Sequence, residues 1–269
     1  MTALLAIDGL NLHTADKRLV TDLSLSIALG ERLGLIGESG SGKSLTAMAA
    51  TGLLPRSIRA SGSVLLGGQQ VIGAPDSTLD KLRGTVAAFV FQEPLTALDP
   101  LLRISRQVAE PLRRRVRRDG VDLHGRELDR AVLDLLGQVA IPEPERIARS
   151  YPHEISGGQR QRVAIAMALA CKPQLLIADE PTTALDVTTQ AEILKLLDAL
   201  VRERNMALLF ISHDLPVVAG IVDRVVVLQH GVAVETGPVR DIFTSPRHAY
   251  TRNLVAAARA FDAGLERVA

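Results

Sequence analysis

The 269-residue chain has few of the cysteines that stabilise small secreted proteins and few aromatic residues from which to build a core. It contains one cysteine, no tryptophan and only 3% aromatic residues. A single cysteine excludes both an internal disulfide and a metal cluster built from cysteines alone. Hydrophobic residues make up 47% of the sequence, which is enough for a core that must be packed from aliphatic side chains.

Neither sign of charge dominates, because 31 Lys and Arg residues face 30 Asp and Glu residues. The one concentrated basic stretch, residues 113–118, has no interleaved aromatic residue for base stacking. It favours a solvated helix face over contact with nucleic acid, and contact with anionic lipid is the second interpretation. The longest apolar helical run, residues 163–171, is far shorter than the ~20 residues of a membrane span. The amino terminus also lacks the basic start of a signal peptide, so we expect a cytosolic protein that reaches a membrane through a partner.

Residues 37–44, GESGSGKS, fit the phosphate-loop pattern G-x-x-x-x-G-K-[ST]. An apolar strand over residues 32–36 precedes them, and a helix predicted over residues 45–54 follows, stopped by Pro55. Lys43 is expected to reach the β- and γ-phosphates, and the Ser44 hydroxyl to ligate Mg²⁺. The positive end of the helix adds to the site. The predicted nucleotide contacts are Gly37, Ser39, Gly40, Ser41, Gly42, Lys43, Ser44 and Leu45.

Residues 175–180, LLIADE, form an apolar run that ends in two adjacent carboxylates. A buried strand of this kind brings Asp179 to its carboxyl end, where it can hold Mg²⁺ directly or through water. Glu180 is then expected to face the γ-phosphate and to orient or deprotonate the attacking water. Together with the phosphate loop, the pattern predicts a nucleoside triphosphatase.

Residues 155–159, ISGGQ, precede a helix predicted over residues 160–171. Ser156 at the helix cap, followed by two glycines, leaves N–H groups open at a positive helix end, which is a second anion site. With these three motifs the sequence resembles the ATP-binding cassette (ABC) ATPases. In that family the signature motif binds the γ-phosphate of ATP held by the opposite subunit. The resemblance assigns this role to Ser156, Gly157, Gly158 and Gln159.

Three further motifs of the family follow in its order. Gln92, in FVFQEP, matches the Q-loop, which touches Mg²⁺ and the attacking water and contacts the membrane partner. Asp186, in ALD, matches the D-loop, which crosses the dimer interface at the nucleotide. His213, in FISHD, matches the switch histidine, whose neutral imidazole is expected to hydrogen-bond the γ-phosphate. The predicted catalytic residues are Glu180, His213 and Gln92, and the predicted metal ligands are Ser44, Gln92 and Asp179.

One family feature is missing upstream of the phosphate loop. An aromatic residue there usually stacks on adenine, but residues 11–21 contain no Phe, Tyr or Trp. His13 is a possible substitute, although a histidine in a surface loop is the preferred interpretation. The sequence leaves open what stacks on adenine.

The predicted fold is α/β: a P-loop NTPase with a RecA-like core, an inserted α-helical subdomain and an N-terminal antiparallel β subdomain. Short strands are predicted before residue 91, helices interrupted at Pro94, Pro100, Pro111 and Pro142 follow, and alternating strands and helices resume after the signature motif. The predicted cassette spans residues 1–238, with the core at 1–91 and 160–238 and the helical subdomain at 92–159. Residues 239–269 form a predicted helical tail.

Within the family, three segments resemble the ATPases of peptide and nickel importers: FQEPLTALDP at 91–100, YPHE at 151–154 and SPRHAYTRNL at 245–254. The last segment carries Ala249 where a proline is common, and it is also compatible with a closing helix of no specific role. The resemblance implies the ATP-hydrolysing subunit of an importer that uses ATP and Mg²⁺ to take up peptides or nickel chelates. Such a subunit is peripheral, at the cytoplasmic face of the cell membrane.

The implied partners are a second ABC ATPase subunit, two transmembrane permease subunits and, indirectly, an extracytoplasmic solute-binding protein. The sequence does not decide between an identical and a different second cassette, nor does it identify the solute. Leu95, Leu98, Leu101 and Leu102, beside Gln92, predict either a groove for a permease helix or core packing. The alternative is a soluble ABC ATPase acting on nucleic acid or ribosomes, but the coiled coil, zinc cysteines or second cassette of such proteins are not found. An exporter ATPase is disfavoured by resemblance alone.

Overall fold

The computed structural model describes residues 3–121 and 123–266, without the side chains of residues 95, 96 and 260–266. The strands are β1 (Leu5–His13), β2 (Arg18–Ile27), β3 (Arg32–Ile36), β4 (Arg59–Leu66), β5 (Gln69–Gln70), β6 (Ala87–Val90), β7 (Leu175–Asp179), β8 (Ala207–Ser212), β9 (Arg224–Gln229) and β10 (Val232–Pro238). The helices are α1 (Lys43–Thr51), α2 (Asp76–Leu82), α3 (Pro94–Ala97), α4 (Ile104–Arg118), α5 (Gly125–Gln138), α6 (Pro144–Arg149), α7 (Gly157–Leu169), α8 (Val187–Glu203), α9 (Leu215–Ile221), α10 (Val239–Thr244) and α11 (Ala249–Glu266). A 3₁₀ turn covers Pro152–Glu154.

Two compact units divide the chain. The first comprises Met1–Leu82 and Met206–Ala269, and the second comprises Arg83–Asn205. The first unit thus contains both ends of the chain, and the second is an insertion in it. The domain boundaries predicted at residues 91, 159 and 238 stay predictions.

An antiparallel sheet opens the first unit, with the strand order β2-β1-β4-β5. In β1 the buried residues are Leu5 and Ile7, then Leu10 and Leu12. The pairing of β1 with β2 shifts register between Ile7 and Leu10, which marks a β-bulge. The bulge returns the later leucines to the buried face, because side chains otherwise alternate strictly along a strand.

Parallel strands form the second sheet region of the first unit, where β3 lies between β8 and β9. Ile36 at the end of β3 pairs with Ser212 on one side and with Val227 on the other. Every residue of β8 is buried, as expected for a parallel strand covered on both faces. The register brings the segments that follow β3 and β8 to the same edge of the sheet.

The second unit contains the parallel pair β6 and β7 together with helices α3 to α8. The predicted break at Pro111 is wrong, because α4 continues through that residue. Ile104, Val108, Leu112 and Val116 are buried at a spacing of four residues, so one apolar face runs the length of the helix. Packing of that face outweighs the lost backbone hydrogen bond of proline.

The start or end of two helices near the predicted site differs from the sequence prediction. Helix α1 ends at Thr51 because Gly52 adopts a left-handed conformation and its N–H bonds to the Ala49 carbonyl. Pro55 therefore lies beyond a helix that has already stopped. Helix α7 begins at Gly157, not at residue 160, because Ser156 caps it.

Cys171 follows α7 and is buried, with its Sγ 3.3 Å from the Pro111 carbonyl oxygen. Burial raises the pKa of this thiol, although Arg118, Arg115 and Arg114 oppose the shift. The side chain therefore behaves as a protonated, packed residue, as its position at the end of an apolar helix predicts. Within the described part of the chain, no helix combines the length and the apolar character that a membrane crossing requires.

Candidate functional site

The phosphate loop lies between β3 and α1 in the first unit, in the strand–loop–helix setting that its pattern requires. Gly37 has a φ of 148°. A Cβ added there would stand 2.1 Å from the Leu228 carbonyl oxygen, so no side chain fits. The carbonyl of Ser41 accepts the N–H of Gly231, whose own carbonyl accepts the N–H of Thr21. The loop is therefore fastened to both the β9–β10 turn and β2.

Lys43 lies inside the loop and is only 4% exposed. Its Nζ donates to the carbonyl oxygens of Gly37, at 2.7 Å, and Glu38, at 2.9 Å. The ammonium group is thus held at the centre of the backbone turn. This position is the one from which a lysine neutralises bound phosphates.

Two features of the loop fit a bound polyphosphate. The Ser41 hydroxyl is buried and has no hydrogen-bond partner among the described residues. Helix α1 starts with no side-chain cap on its N–H groups and no acidic residue in its first turn. Open N–H groups at a positive helix end attract anions, so the residues present fit the phosphates of a nucleotide.

His213 follows β8 at the same sheet edge as the phosphate loop, since Ser212 pairs with Ile36. The imidazole is exposed. On its far side, Asp214 caps α9 by accepting the N–H of Val217, and the Ser212 hydroxyl accepts the N–H of Asp214. Both neighbours of His213 are fixed by these bonds, which hold the histidine at the edge where the loop begins.

In the second unit, Gln92 and Glu180 lie together although 88 residues separate them in sequence. Val90 of β6 pairs with Ala178 of β7. Gln92 and Glu180 each come two residues after this pair, so both lie at the same end of the two strands. The Gln92 amide donates to Glu180 Oε2 at 3.2 Å. Thr183 Oγ1 donates to the same oxygen at 3.0 Å. Sequence reasoning missed Thr183, whose only signal was its position three residues after the carboxylate.

The backbone of Glu180 is in the left-handed region, with a φ of 46°. Residues with a Cβ rarely adopt this conformation, and it concentrates at functional sites. Asp179, directly before it, ends β7 and is 4% exposed. No group of three or more His, Cys, Asp or Glu side chains in the described residues is placed to hold a metal ion. Mg²⁺ commonly binds through one or two protein ligands plus phosphate oxygens, so such a group is not required.

The signature motif forms a capping box at the start of α7. The Ser156 hydroxyl accepts the N–H of Gln159 at 3.2 Å, and Gln159 Oε1 accepts the N–H of Ser156 at 3.0 Å. A Cβ on Gly158 would stand 2.5 Å from Thr189 Cγ2, so the start of α8 packs where a side chain would be. The predicted cap is confirmed, and the Ser156 O–H keeps its proton to donate because a hydroxyl accepts and donates at once.

Asp186 is the N-cap of α8, where it accepts the N–H of Thr189 at 3.0 Å and the Thr189 hydroxyl at 2.7 Å. The backbone bond from Thr189, followed by the hydroxyl bond, lowers the pKa of the aspartate. The carboxylate is charged and solvent-exposed at the start of its helix. Its predicted contact with nucleotide stays a prediction.

A cleft of about 490 Å³ lies in the first unit beside the β1–β2 turn. His13, half-buried, and Val20 line it, together with Asn11, Lys17 and Arg18. Val20 belongs to β2, the strand to which Gly231 fastens the phosphate loop. The cleft is thus next to the phosphate loop, and the planar imidazole of His13 forms part of its wall.

Comparison with known proteins adds to this geometry. The family model described as ABC transporter matches residues 20–183. The peptidoglycan transport ATP-binding protein YejF of Agrobacterium fabrum is 50% identical, over 88% of this chain and 43% of its own length. The oligopeptide transport ATP-binding protein OppD of Escherichia coli is 46% identical, over 92% of this chain and 72% of its own length.

Among solved structures, the fold is similar to the dimeric, post-hydrolysis form of the ATP-binding cassette MJ0796 bound to ADP and phosphate. The TM-score is 0.77 at 30% identity, and the match covers 88% of this chain and 99% of that one. The predicted P-loop fold with an antiparallel β subdomain and helical elements is therefore confirmed. On the family match, the identity to OppD and this fold, the chain belongs to the ABC transporter family, as one of its ATP-binding cassettes.

Proposed function

We propose that this chain is the ATP-hydrolysing subunit of an importer that carries peptides across the cell membrane. The observation that carries the proposal is the phosphate loop closed around Lys43, with a buried Ser41 hydroxyl left for a ligand. YejF is named for peptidoglycan transport and OppD for oligopeptide transport. The chain spans 43% of YejF and 72% of OppD, so transport activity, solute and partners belong to the proposal.

ATP binds with its phosphates on the loop and its adenine in the cleft lined by His13 and Val20. Lys43 neutralises the β- and γ-phosphates, and loop N–H groups cradle them. Ser44, Gln92 and Asp179 would hold Mg²⁺, and the ion would supply further neutralisation of phosphate charge. The chain's own contribution is to hold the triphosphate straight for in-line attack.

Glu180 orients the attacking water and accepts its proton as the water oxygen bonds to the γ-phosphorus and the bond to the β–γ bridging oxygen breaks. ADP and phosphate leave. Gln92 and Thr183 both donate to Oε2 of the carboxylate, which holds Glu180 in position for this step. His213 donates to the γ-phosphate and stabilises the charge that develops there.

A complete site needs a second cassette. Ser156, Gly157 and Gly158 present an O–H and N–H groups that receive the γ-phosphate of ATP held by the partner, and Asp186 lies at that interface. The cassette MJ0796 has been solved as a dimer with ADP and phosphate, which supports this arrangement. The partner is a second copy of this chain or a different cassette.

Mixing two inactive variants tests the shared site. Ser156→Arg blocks the signature half and Lys43→Ala the loop half, so each protein alone should be inactive. A mixture should recover part of the ATPase activity if homodimers form, because one intact site remains in each mixed dimer. Phosphate release is measured at several protein concentrations. High wild-type activity that persists in a monomer at great dilution, without rescue on mixing, contradicts a shared site.

The segment after Gln92 is proposed to receive a short cytoplasmic helix from a permease. Leu101 is 82% exposed and Leu102 is 38% exposed, whereas Leu98 is buried at 3%. The leucines therefore divide between the two interpretations of the sequence: Leu98 fills the core, and Leu101 is free to contact a partner. The side chain of Leu95 lies outside the described residues. Nucleotide occupancy at Gln92 would move this segment and drive the transport cycle.

Leu101→Glu should uncouple transport and leave basal ATPase activity within about twofold of wild type, because the change is at an exposed position. Leu98→Glu should instead lower the melting temperature and both activities, because it buries a charge. Leu29→Glu, at a residue 59% exposed in the other unit, is the matched control. Uptake in proteoliposomes, ATPase rate and thermal melting are measured together. Normal transport by Leu101→Glu contradicts a docking role.

Peptides are favoured over nickel as the solute, since the relatives described above are named for peptidoglycan and oligopeptide transport. The proposed location is the cytoplasmic face of the membrane, with two permeases and an extracytoplasmic binding protein. The nucleic-acid alternative gains no support from the basic run. Arg114 and Arg118 pair with Glu110 and Asp119, and Arg115 donates to the Ala170 carbonyl. These contacts indicate a solvated helix face.

A further inference from the structure

The side chain of Tyr250 links the C-terminal segment to the phosphate loop. The backbone N–H of Glu38 donates to the Tyr250 hydroxyl oxygen at 2.9 Å. The two residues are 212 positions apart and belong to the same unit. The tail motif at residues 245–254, which sequence reasoning left without a role, therefore contributes a direct contact to the loop that holds phosphate.

The position of Tyr250 is fixed by a clamp at the start of α11. The Glu235 carboxylate accepts the N–H of Arg247 at 2.8 Å and the N–H of His248 at 3.0 Å. Partial burial opposes ionisation of Glu235, but the N–H of Arg247 and the other bonds outweigh it and lower its pKa. The carboxylate is charged at neutral pH and suits the positive end of the helix that begins one residue later.

Buried residues close to Tyr250 in sequence hold α11 in place. Thr251 is fully buried and Val255 is 4% exposed. The N–H of Tyr250 donates to His248 Nδ1 at 3.3 Å. The Tyr250 backbone is thus held by its bond to His248, and the helix around it is held by buried residues. Its hydroxyl is therefore already positioned to contact the loop. Burial raises the pKa of the phenol, which is neutral at physiological pH and accepts from Glu38 through its oxygen.

We infer that Tyr250 is a positioning residue for nucleotide binding, which holds the entry of the phosphate loop in the shape that receives ATP or ADP. Glu38 is the one residue of 37–45 with no predicted phosphate contact, so its N–H is free to be held from outside. The Lys43 ammonium donates to the carbonyl oxygens of Gly37 and Glu38. A bond that fixes the backbone at Glu38 therefore also fixes the position of the ammonium. A pre-shaped loop binds with less loss of conformational freedom.

The inference rests on the proposed function, and Tyr250→Phe tests the role of Tyr250 independently of it. The phenyl ring keeps the packing and loses only the acceptor, so the melting temperature should change little. Affinity for ATP and for ADP, measured by calorimetry on the full chain, should fall by about two- to tenfold, the range for one neutral hydrogen bond. Both nucleotides should lose the same factor because both occupy the loop.

Amide hydrogen exchange gives a readout that needs no nucleotide. Exchange in a peptide covering residues 37–42 should be faster in Tyr250→Phe than in wild type. Thr244→Val removes a hydroxyl bond within the same tail, to the Arg240 carbonyl, and should leave both exchange and affinity unchanged. Wild-type chain that binds no nucleotide overturns the proposed function. If wild type binds nucleotide but Tyr250→Phe matches it in both affinity and loop exchange, the role of Tyr250 alone is overturned. The same holds if Thr244→Val loses as much affinity and protection as Tyr250→Phe.

Discussion

Replacing Glu180 by glutamine should slow ATP hydrolysis by about 100-fold or more, the scale expected for loss of a general base or water-positioning group. ATP binding should persist, because the phosphate loop is untouched. Glutamine keeps the size of the side chain and an oxygen to accept from Gln92 and Thr183, but it cannot take a proton from water. The variant should therefore accumulate as a closed dimer with ATP bound.

The measurement is phosphate release together with size-exclusion chromatography in the presence of ATP. Glu110→Gln is the matched control, since it makes the same change in an exposed residue of α4 that pairs with Arg114 at the surface. That control should hydrolyse ATP at the wild-type rate. If Glu180→Gln does the same, another residue activates the water.

Changing Lys43 to alanine should abolish turnover and lower affinity for ATP by about two orders of magnitude, the expected loss of charge-assisted contacts to phosphate. The ammonium is almost fully buried and bonded to two loop carbonyls. Without it, those carbonyl oxygens face the phosphates with no positive charge between them. Both binding and the neutralisation needed for phosphoryl transfer are lost.

Calorimetry with ATP and a phosphate-release assay check this result, and thermal melting shows whether the variant is folded. Lys195→Ala, at an exposed position on α8, is the control and should match wild type. A folded Lys43→Ala protein that turns over ATP at the normal rate would mean that the nucleotide binds elsewhere.

The local parts of the site could be predicted from the sequence because their geometry is encoded by neighbouring residues. The serine-glutamine capping box at 156 and 159 is decided within four residues, and the phosphate-loop pattern of residues 37–44 is likewise contiguous in sequence. The strand ending at Asp179 followed from an uninterrupted apolar run. In each case the chemistry and the backbone conformation are properties of the same short segment.

Long-range and context-dependent features could not be predicted. The bond between Tyr250 and Glu38, and that between Gln92 and Glu180, depend on strand register and helix packing, which leave no local signal. The left-handed backbone of Glu180 runs against the preference of its residue type. Helix α4 continues through Pro111 only because its buried face is long. Tertiary packing decided each of these.

Glu180 is proposed to activate the water that hydrolyses ATP bound by this chain, and this reaction is proposed to drive peptide uptake. The most direct test purifies the chain with its associated subunits, reconstitutes the complex in proteoliposomes and measures phosphate release and labelled-peptide uptake in the same vesicles. We expect ATP-dependent uptake with wild-type chain, and loss of both uptake and phosphate release with Glu180→Gln while ATP stays bound. Uptake and hydrolysis at wild-type rates by Glu180→Gln would contradict this role of Glu180.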